Sequence, residues 1–154
     1  MIRITRETDY SIVLLTTLAQ LGPEESLSAT ALAKQCHLPL PMVGKVLKTL
    51  AHANILNSQR GAHGGYSLAR PATAISITEI VEALEGPIAI TECSVQDDAC
   101  AYQAHCGVSA HWSRINVAIR EALQGISLHE MSNLPPIQIG YPDSAVIYQA
   151  ERAQ

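Results

Sequence analysis

The fold of this chain is indicated most clearly by residues 28–69, which read SATALAKQCHLPLPMVGKVLKTLAHANILNSQRGAHGGYSLA. Ser28 is a suitable N-cap for a short helix over residues 29–36, because a serine hydroxyl accepts a hydrogen bond from the free backbone N–H groups of a first helical turn. His37-Leu38-Pro39 predicts a turn, and a second helix follows to about Ala53. A short helix, a tight turn and a longer helix form the helix-turn-helix pattern. The second helix is predicted to pack inward through four apolar residues, Val43, Val46, Leu47 and Leu50.

The residues after the second helix predict a β-hairpin. Two short stretches with strand propensity, 55–59 and 66–69, flank the segment Arg60-Gly61-Ala62-His63-Gly64-Gly65. Three glycines within five positions permit the backbone angles of a tight turn. A hairpin placed directly after a helix-turn-helix is a wing, and Arg60 lies at its base or tip, where a guanidinium can enter a minor groove or grip a phosphate. The predicted fold class is therefore mainly α with a small β-hairpin wing.

Helices are also predicted on both sides of this unit. Ser76 and Glu79 form a capping box that opens a helix to about Glu85, and Ser127 with Glu130 forms a second one before a single short turn. A helix over residues 8–21 ends at Gly22-Pro23. This first helix is predicted to bury a stripe at three- and four-residue steps, formed by Tyr10, Val13, Leu14, Thr17, Leu18 and Leu21.

A long helix is predicted over residues 107–124, with Gly125 as its stop signal. Its apolar stripe needs a partner surface, which is either the same helix of a second chain or the rest of its own domain. The pattern alone favours neither partner, and the first would make this a dimerisation helix. The stripe comprises Trp112, Ile115, Ile119, Ala122 and Leu123.

The composition excludes several classes of protein. The 154 residues are 47% hydrophobic and 16% charged, which excludes a disordered acidic or basic tail. No apolar run reaches the roughly 20 residues that span a bilayer, and the first residues lack the apolar stretch of a signal peptide, so we expect a cytoplasmic protein with no membrane partner. Residues 1–70 carry seven Lys and Arg against four Asp and Glu, a charge of +3, whereas residues 71–154 carry three against ten, a charge of −7. The basic first half favours nucleic acid as its partner.

Three cysteines lie within one polar loop of fourteen residues. Cys93, Cys100 and Cys106 are separated by six and then five residues. Structural zinc sites usually contain at least one closer pair, whereas wider spacings suit an iron–sulfur cluster, which is a larger object for thiolates to surround. The fourth cysteine, Cys36, lies on the apolar face of the first helix of the helix-turn-helix and is predicted to be a small buried hydrophobe.

Other interpretations of the loop remain open. One is a metal-free thiol switch, in which the same three thiols react by disulfide or sulfenic acid chemistry. A catalytic cysteine is disfavoured, because His105 and Cys106 are adjacent and adjacent side chains point apart. His111 is predicted on a helix surface and His63 at the wing tip. The sequence contains no P-loop, dinucleotide fingerprint or HExxH motif, so neither enzymatic activity nor a small-molecule substrate is predicted.

Taken together, these features resemble a known family. A helix-turn-helix, the wing segment from Arg60 to Tyr66, a Cys-x6-Cys-x5-Cys loop and a long helix bearing Trp112 are similar to the IscR/NsrR family of winged-helix iron–sulfur regulators. The resemblance covers roughly residues 1–132, including the opening residues 4–10. The run over residues 85–93 resembles most closely the subgroup that regulates the Suf iron–sulfur assembly operon.

The resemblance implies a homodimer that binds double-stranded operator DNA and carries an iron–sulfur cluster on each subunit, with [2Fe–2S] favoured over [4Fe–4S]. It assigns the three loop cysteines as cluster ligands. IscR uses a histidine three residues beyond the last cysteine as the fourth ligand, but this chain has Ser109 there. In NsrR-type members an aspartate early in the first helix of the other subunit fills that role, and Asp9 matches it, with His111 or His105 as alternatives.

We therefore predict a cluster-sensing transcription regulator that controls iron–sulfur assembly genes. The alternative is a cluster-free thiol-redox repressor on the same fold, and a small iron–sulfur electron carrier is disfavoured because it gives no use to a wing. Four regions are predicted: a winged helix-turn-helix domain (1–86), a cysteine-bearing loop (87–106), a dimerisation helix with a short helix (107–132) and an irregular tail (133–154). The predicted DNA contacts are Ser28, Thr30, Lys45, Lys48, Arg60 and His63.

Overall fold

A computed structural model describes residues 3–22, 25–61, 64–95, 100–102 and 105–133 of the chain. Within these residues the predicted fold class is confirmed, since the structure is mainly helical with one two-stranded antiparallel hairpin. No helix in this part of the chain has both the length and the apolar character needed to cross a membrane. The elements in chain order are α1 (Arg6–Ala19), α2 (Ala29–Gln35), α3 (Leu40–His52), β1 (Leu56–Gln59), β2 (Gly65–Leu68), α4 (Ile77–Glu85), α5 (Ser109–Gln124) and α6 (Leu128–Asn133).

The core lies where α1, α3 and α4 meet. The four apolar residues predicted to face inward from α3 are all fully buried. Around α3, the helices α2, α1 and α4 and the strand β1 all make contact with it. The central position of α3 makes its inward face the scaffold for everything placed on its outer face. Other large, fully buried side chains of the core are Leu14, Leu15, Leu32, Ile55, Ile75, Ile80 and Leu128.

The buried face of α1 differs from the predicted stripe. Val13 is 40% exposed, whereas Leu15 and Ser11 are fully buried beside Leu14. The buried residues Thr8, Ser11, Leu14, Leu15 and Leu18 still form one helical stripe, but this stripe is rotated away from Val13, because two of its members are polar and an apolar pattern leaves them out. Ser11 satisfies its buried hydroxyl by donating to the backbone oxygen of Thr8 at 2.6 Å.

Both predicted capping boxes are present. The Ser76 hydroxyl accepts a hydrogen bond from the backbone N–H of Glu79 at 3.3 Å, and the Glu79 carboxylate accepts one from the backbone N–H of Ser76 at 3.0 Å. The pair formed by Ser127 and Glu130 repeats this pattern at 3.2 and 2.7 Å. The two serines also form an isolated antiparallel bridge, which joins the starts of α4 and α6. As a result α6 packs on α1, with Leu128 fully buried.

Helix α5 contacts α4 but leaves most of its surface open. Arg120 forms an ion pair with Glu82 at 3.1 Å, and the Thr78 hydroxyl donates to the backbone oxygen of Arg120 at 3.2 Å. By contrast, Trp112 is 39% and Ile115 is 44% exposed. Only the C-terminal end of the predicted stripe, at Leu123, packs against the core. The division of the chain into four regions stays a prediction, and its last region falls almost wholly on residues outside the described part.

Candidate functional site

The helix-turn-helix begins at a side-chain cap and turns at a left-handed residue. The Ser28 hydroxyl accepts from the backbone N–H of Ala31 at 3.1 Å, which opens α2. His37 adopts a φ of 55° after α2, and Pro39 precedes α3 with extended backbone angles. These local features orient α3 so that its lysines face away from the core, and Lys48 is exposed.

The wing is attached to the helix-turn-helix by backbone pairing. Tyr66 donates to the backbone oxygen of Leu27 at 2.8 Å and accepts from the Leu27 N–H at 3.1 Å. Glycine is required beside this bridge, because a Cβ at Gly65 would lie 2.8 Å from the backbone carbon of Leu27. The hairpin register, with Ser58 opposite Tyr66, then carries the residue after β1, Arg60, to the side of α3.

A groove of about 500 Å³ lies between the end of α3, the start of α2 and the wing. It brings together three of the predicted DNA contacts, Ser28, Lys48 and Arg60. Two cationic side chains in an open groove beside a helix N-terminus suit a polyanion such as a nucleic acid backbone. The groove is also lined by residues that were not predicted as DNA contacts: Ala29, Ala51, His52, Ser58, Gln59, Gly61, Gly64, Gly65 and Tyr66.

The remaining predicted contacts are placed differently. Lys45 forms an ion pair with Glu7 of α1 at 2.6 Å, and it is not part of the groove lining. Thr30 is exposed on α2 and is not part of the groove lining. His63 lies outside the described residues. The structure thus groups half of the predicted set in one place, because α3 and the wing converge only near the end of α3.

The cysteines of the loop are all half-buried free thiols. Cys93 lies on a 3-10 turn, Glu92–Ser94, and its sulfur is 3.2 Å from the Thr91 hydroxyl oxygen. Cys100 and Cys106 are equally half-buried. Three accessible thiols are a donor set that an iron–sulfur cluster accepts. In the described part of the chain, however, no three histidine, cysteine or acidic side chains are close enough together to hold a metal ion.

The candidate fourth ligands lie on different elements of the chain. Asp9 is exposed in the first turn of α1. His111 lines a shallow hollow on α5 with Arg114, Ile115 and Ala118. His105 is exposed, and its backbone N–H donates to the backbone oxygen of Tyr102 at 3.0 Å. Cys36, predicted as a buried hydrophobe, is half-buried, packs against the core and lies 3.4 Å from the Thr17 hydroxyl.

A carboxylate network that the sequence did not reveal joins α4 to α1. One oxygen of Glu85 accepts from the Thr5 backbone N–H at 2.9 Å, the Thr5 hydroxyl at 2.7 Å and the Thr8 hydroxyl. These bonds, with that from Thr8 the largest, lower the pKa of Glu85 from its ordinary value. Because Glu85 ends α4 and is followed by Gly86, this contact fixes the point where the cysteine-bearing segment leaves the body of the fold.

A second contact missed from the sequence lies on α5. Asn116 is 9% exposed, and its side-chain amide bonds the backbone of both Ile88 and Ile90. An asparagine in a predicted helix is normally expected on the surface. The one signal in the sequence is that this polar residue lies between apolar residues of the helix. These two bonds hold the segment that leads into the cysteine loop.

Comparison with known proteins agrees with this architecture. The model of the Rrf2 family, described as iron-dependent transcriptional regulators, matches residues 4–133. Protein rrf2 of Nitratidesulfovibrio vulgaris is 28% identical over 129 residues, which cover 84% of this chain and 86% of that protein. Solved structures with the same fold include CymR, the global cysteine regulator of B. subtilis, at 28% identity with a TM-score of 0.67 over 86% of this chain and 97% of that one. IscR of T. potens gives 25% identity and a TM-score of 0.64 over 99% and 91%.

The matching family and CymR are described as regulators of transcription and of cysteine, respectively, which confirms the prediction of a regulator rather than an enzyme. They also confirm the resemblance at the level of the wider family, which includes both IscR and CymR. On a match that spans most of its length, together with the helix-turn-helix, the wing and the groove between them, this chain belongs to the Rrf2 family of transcriptional regulators.

Proposed function

We propose that this regulator acts in the cytoplasm as a homodimer that binds operator DNA through the groove between α3 and the wing. The observation that carries the proposal is the convergence of Lys48, Arg60 and the N-terminus of α2 on one groove. Phosphate contacts of this kind set the position of a protein on DNA, and base contacts from the exposed start of α3 or from the wing supply specificity. Leu40 is 46% exposed at that start and offers an apolar contact to a base.

The homodimer is supported by the open surface of α5. Trp112 and Ile115, three residues apart on α5, are 39% and 44% exposed in the single chain. Large apolar side chains gathered on one exposed helix mark an interaction surface. Pairing of α5 with its counterpart in a second chain would cover such a surface and would place two α3 helices for half-sites about 34–36 Å apart on one face of the duplex.

The dimer is tested by its mass in solution. Ile115→Lys places a charge on the exposed apolar face of α5 and should convert the dimer into a monomer. Arg114→Gln is the matched control, since it changes a charge on the neighbouring position of the same helix. Light scattering should give a dimer for the natural protein and the control. A monomer for the natural protein would refute this part of the proposal.

The proposed signal is the state of an iron–sulfur cluster held by Cys93, Cys100 and Cys106, with [2Fe–2S] favoured over [4Fe–4S]. Support comes from three half-buried free thiols in one loop, a donor set that an iron–sulfur cluster accepts. When bound, the cluster would supply sensitivity to iron supply and oxidants. Asp9 of the other subunit is proposed as the fourth ligand, ahead of His111 and His105.

The proposed targets are iron–sulfur assembly genes. This assignment rests on the similarity of residues 85–93 to the Suf-regulating subgroup and on the family description of iron-dependent regulation. Footprinting of the purified protein on the promoter of its own operon and on promoters of iron–sulfur assembly genes tests it. Protection only at unrelated promoters would remove this part of the proposal.

A second candidate function is a cluster-free repressor whose thiols react directly with oxidants. The specific observation in its favour is that all three loop cysteines are free thiols that are only half-buried, so that an oxidant can reach them. The structural likeness to CymR, a cysteine regulator, also supports a signal from sulfur chemistry. In this case disulfide formation within the loop would replace cluster loss as the event that alters DNA binding.

One experiment separates the two candidates. The protein is purified without oxygen, and its visible absorption spectrum, iron content and acid-labile sulfide are measured. The cluster proposal expects a brown protein with iron and sulfide in equal amounts. A colourless, metal-free protein that cannot be reconstituted with iron and sulfide, and whose DNA affinity still responds to a mild thiol oxidant, would favour the thiol switch instead.

A further inference from the structure

We propose that Asn116 is a positioning residue that holds the segment before Cys93 against α5. In α5, which is described along its whole length, Asn116 is the one buried residue. A buried amide is costly unless its hydrogen bonds are made, and an apolar side chain would serve as well if the position only filled space. The hydrogen bonds of this amide therefore indicate what it does.

The Asn116 amide hydrogen-bonds the backbone of the segment on both sides of Ala89. Its nitrogen Nδ2 donates to the backbone oxygen of Ile88 at 3.0 Å, and its oxygen Oδ1 accepts from the Ile90 N–H at 3.2 Å. The orientation of the amide is determined by these partners, because exchanging its two ends would set a donor against an N–H and an acceptor against a C=O. One side chain thus fixes two alternate residues of the segment.

The fixed segment leads directly to the first cysteine of the loop. Thr91 follows Ile90, and its hydroxyl lies 3.2 Å from the Cys93 sulfur and 2.9 Å from the Ser94 hydroxyl. The turn Glu92–Ser94 itself packs on α5. α5 therefore positions the Cys93 sulfur, both through Asn116 and Thr91 and through its own contact with the turn.

The same segment is held at its other end by the DNA-binding body. Glu85 is bonded to Thr5 and Thr8 of α1, and Gly86 with a φ of 84° redirects the chain immediately afterwards. Residues 86–91 thus form a short arm that connects α1 to α5, with Asn116 as its attachment to α5. The regulatory consequence rests on the proposed function: a change at the cysteines or at the dimer surface of α5 would be passed along this arm to α1.

The test uses the full-length, metal-free protein and two local readouts. Asn116→Ala removes both hydrogen bonds but keeps a good helix former in α5. Hydrogen exchange of the Ile90 amide should become roughly tenfold faster, which corresponds to about 1.4 kcal/mol. Alkylation of Cys93 should accelerate several-fold while alkylation of Cys36, which packs in the helix-turn-helix, stays unchanged. Asn57→Ala, at an exposed position of β1, is the matched control and should alter neither readout.

Each outcome decides the matter. If Asn116→Ala keeps its helical circular dichroism, and both the Ile90 exchange rate and the ratio of Cys93 to Cys36 reactivity are those of the natural protein, the proposal is wrong. If the variant does not fold, the natural protein decides, because exchange of its Ile90 amide at the rate of an unfolded chain would overturn the proposal equally. Failure of the proposed function would appear elsewhere, as a natural protein that takes up no iron and binds no operator.

Discussion

Replacement of Arg60 with glutamine should weaken DNA binding and reduce its dependence on salt. The groove holds two permanent cations in each subunit, Lys48 and Arg60, which makes four in a dimer. Each phosphate neutralised on duplex DNA adds about 0.9 to the slope of log affinity against log salt, so these four account for a slope of about 3.6. Arg60→Gln removes two of the four and should make the slope shallower by about 1.8. The loss of affinity should be about 1–3 kcal/mol if the guanidinium also reads a base.

Fluorescence anisotropy on a labelled operator, at salt concentrations between about 50 and 200 mM, measures both quantities. Arg70→Gln is the control, because Arg70 is ion-paired with Glu79 at 3.0 Å and does not line the groove. It should leave the salt dependence unchanged. An Arg60→Gln protein with the slope of the natural protein would show that the wing arginine touches no phosphate, and the groove would lose its proposed role.

Three further predictions concern the thiols, the fourth ligand and the response to acid. Changing any one of the three loop cysteines to alanine should abolish bound iron and sulfide, whereas Cys36→Ala should retain both; iron loss only in Cys36→Ala would reverse the assignment. In the natural protein, the cluster-loaded and cluster-free forms should differ in DNA affinity by about 5- to 150-fold. Asp9→Ala should alter the visible spectrum and reduce this difference, while His111→Ala should change neither. The pKa of Glu85 is lowered in the folded protein, first by its bond from Thr8, so its contribution to stability is present above the ordinary value of 4.5 and is lost as the pH falls through the folded-state pKa. Glu85→Gln should therefore flatten the fall in melting temperature below about pH 4.5, and an unchanged acid profile would count against the network.

Much of the fold could be predicted because its signals are local. Both capping boxes, at Ser76 and Ser127, bond residues only three apart, so the sequence displays donor and acceptor together. The inward face of α3 follows from helical spacing, since its buried residues Val43, Val46, Leu47 and Leu50 are all apolar and recur at three- and four-residue steps. The wing could be predicted from its glycines, because the backbone angles of a tight turn restrict which residues can form it.

The buried face of α1 and the packing of α6 on the core could not be predicted from such local signals. An apolar pattern misplaces the buried face of α1 because two residues of that face, Thr8 and Ser11, are polar, and Leu15 is buried where Val13 was expected. α6 joins the core because Ser127 pairs with Ser76, a contact across 51 residues that neither capping box predicts.

Local signals along the chain are enough to predict the class of protein, a helix-turn-helix with a wing, a cysteine loop and a long amphipathic helix, and the family match agrees with that prediction. Which of the candidate DNA contacts share a groove depends on tertiary packing, since Lys48 and Arg60 come together only when the hairpin pairs with Leu27. Tertiary packing also positions the cysteine segment, through the bonds of Glu85, at the end of α4, to Thr5 and through those of Asn116 on α5. Those bonds join residues 80 and 26–28 positions apart. Contacts at such separations depend on the packing of whole elements, whereas caps, turns and helical faces depend on the few residues beside them.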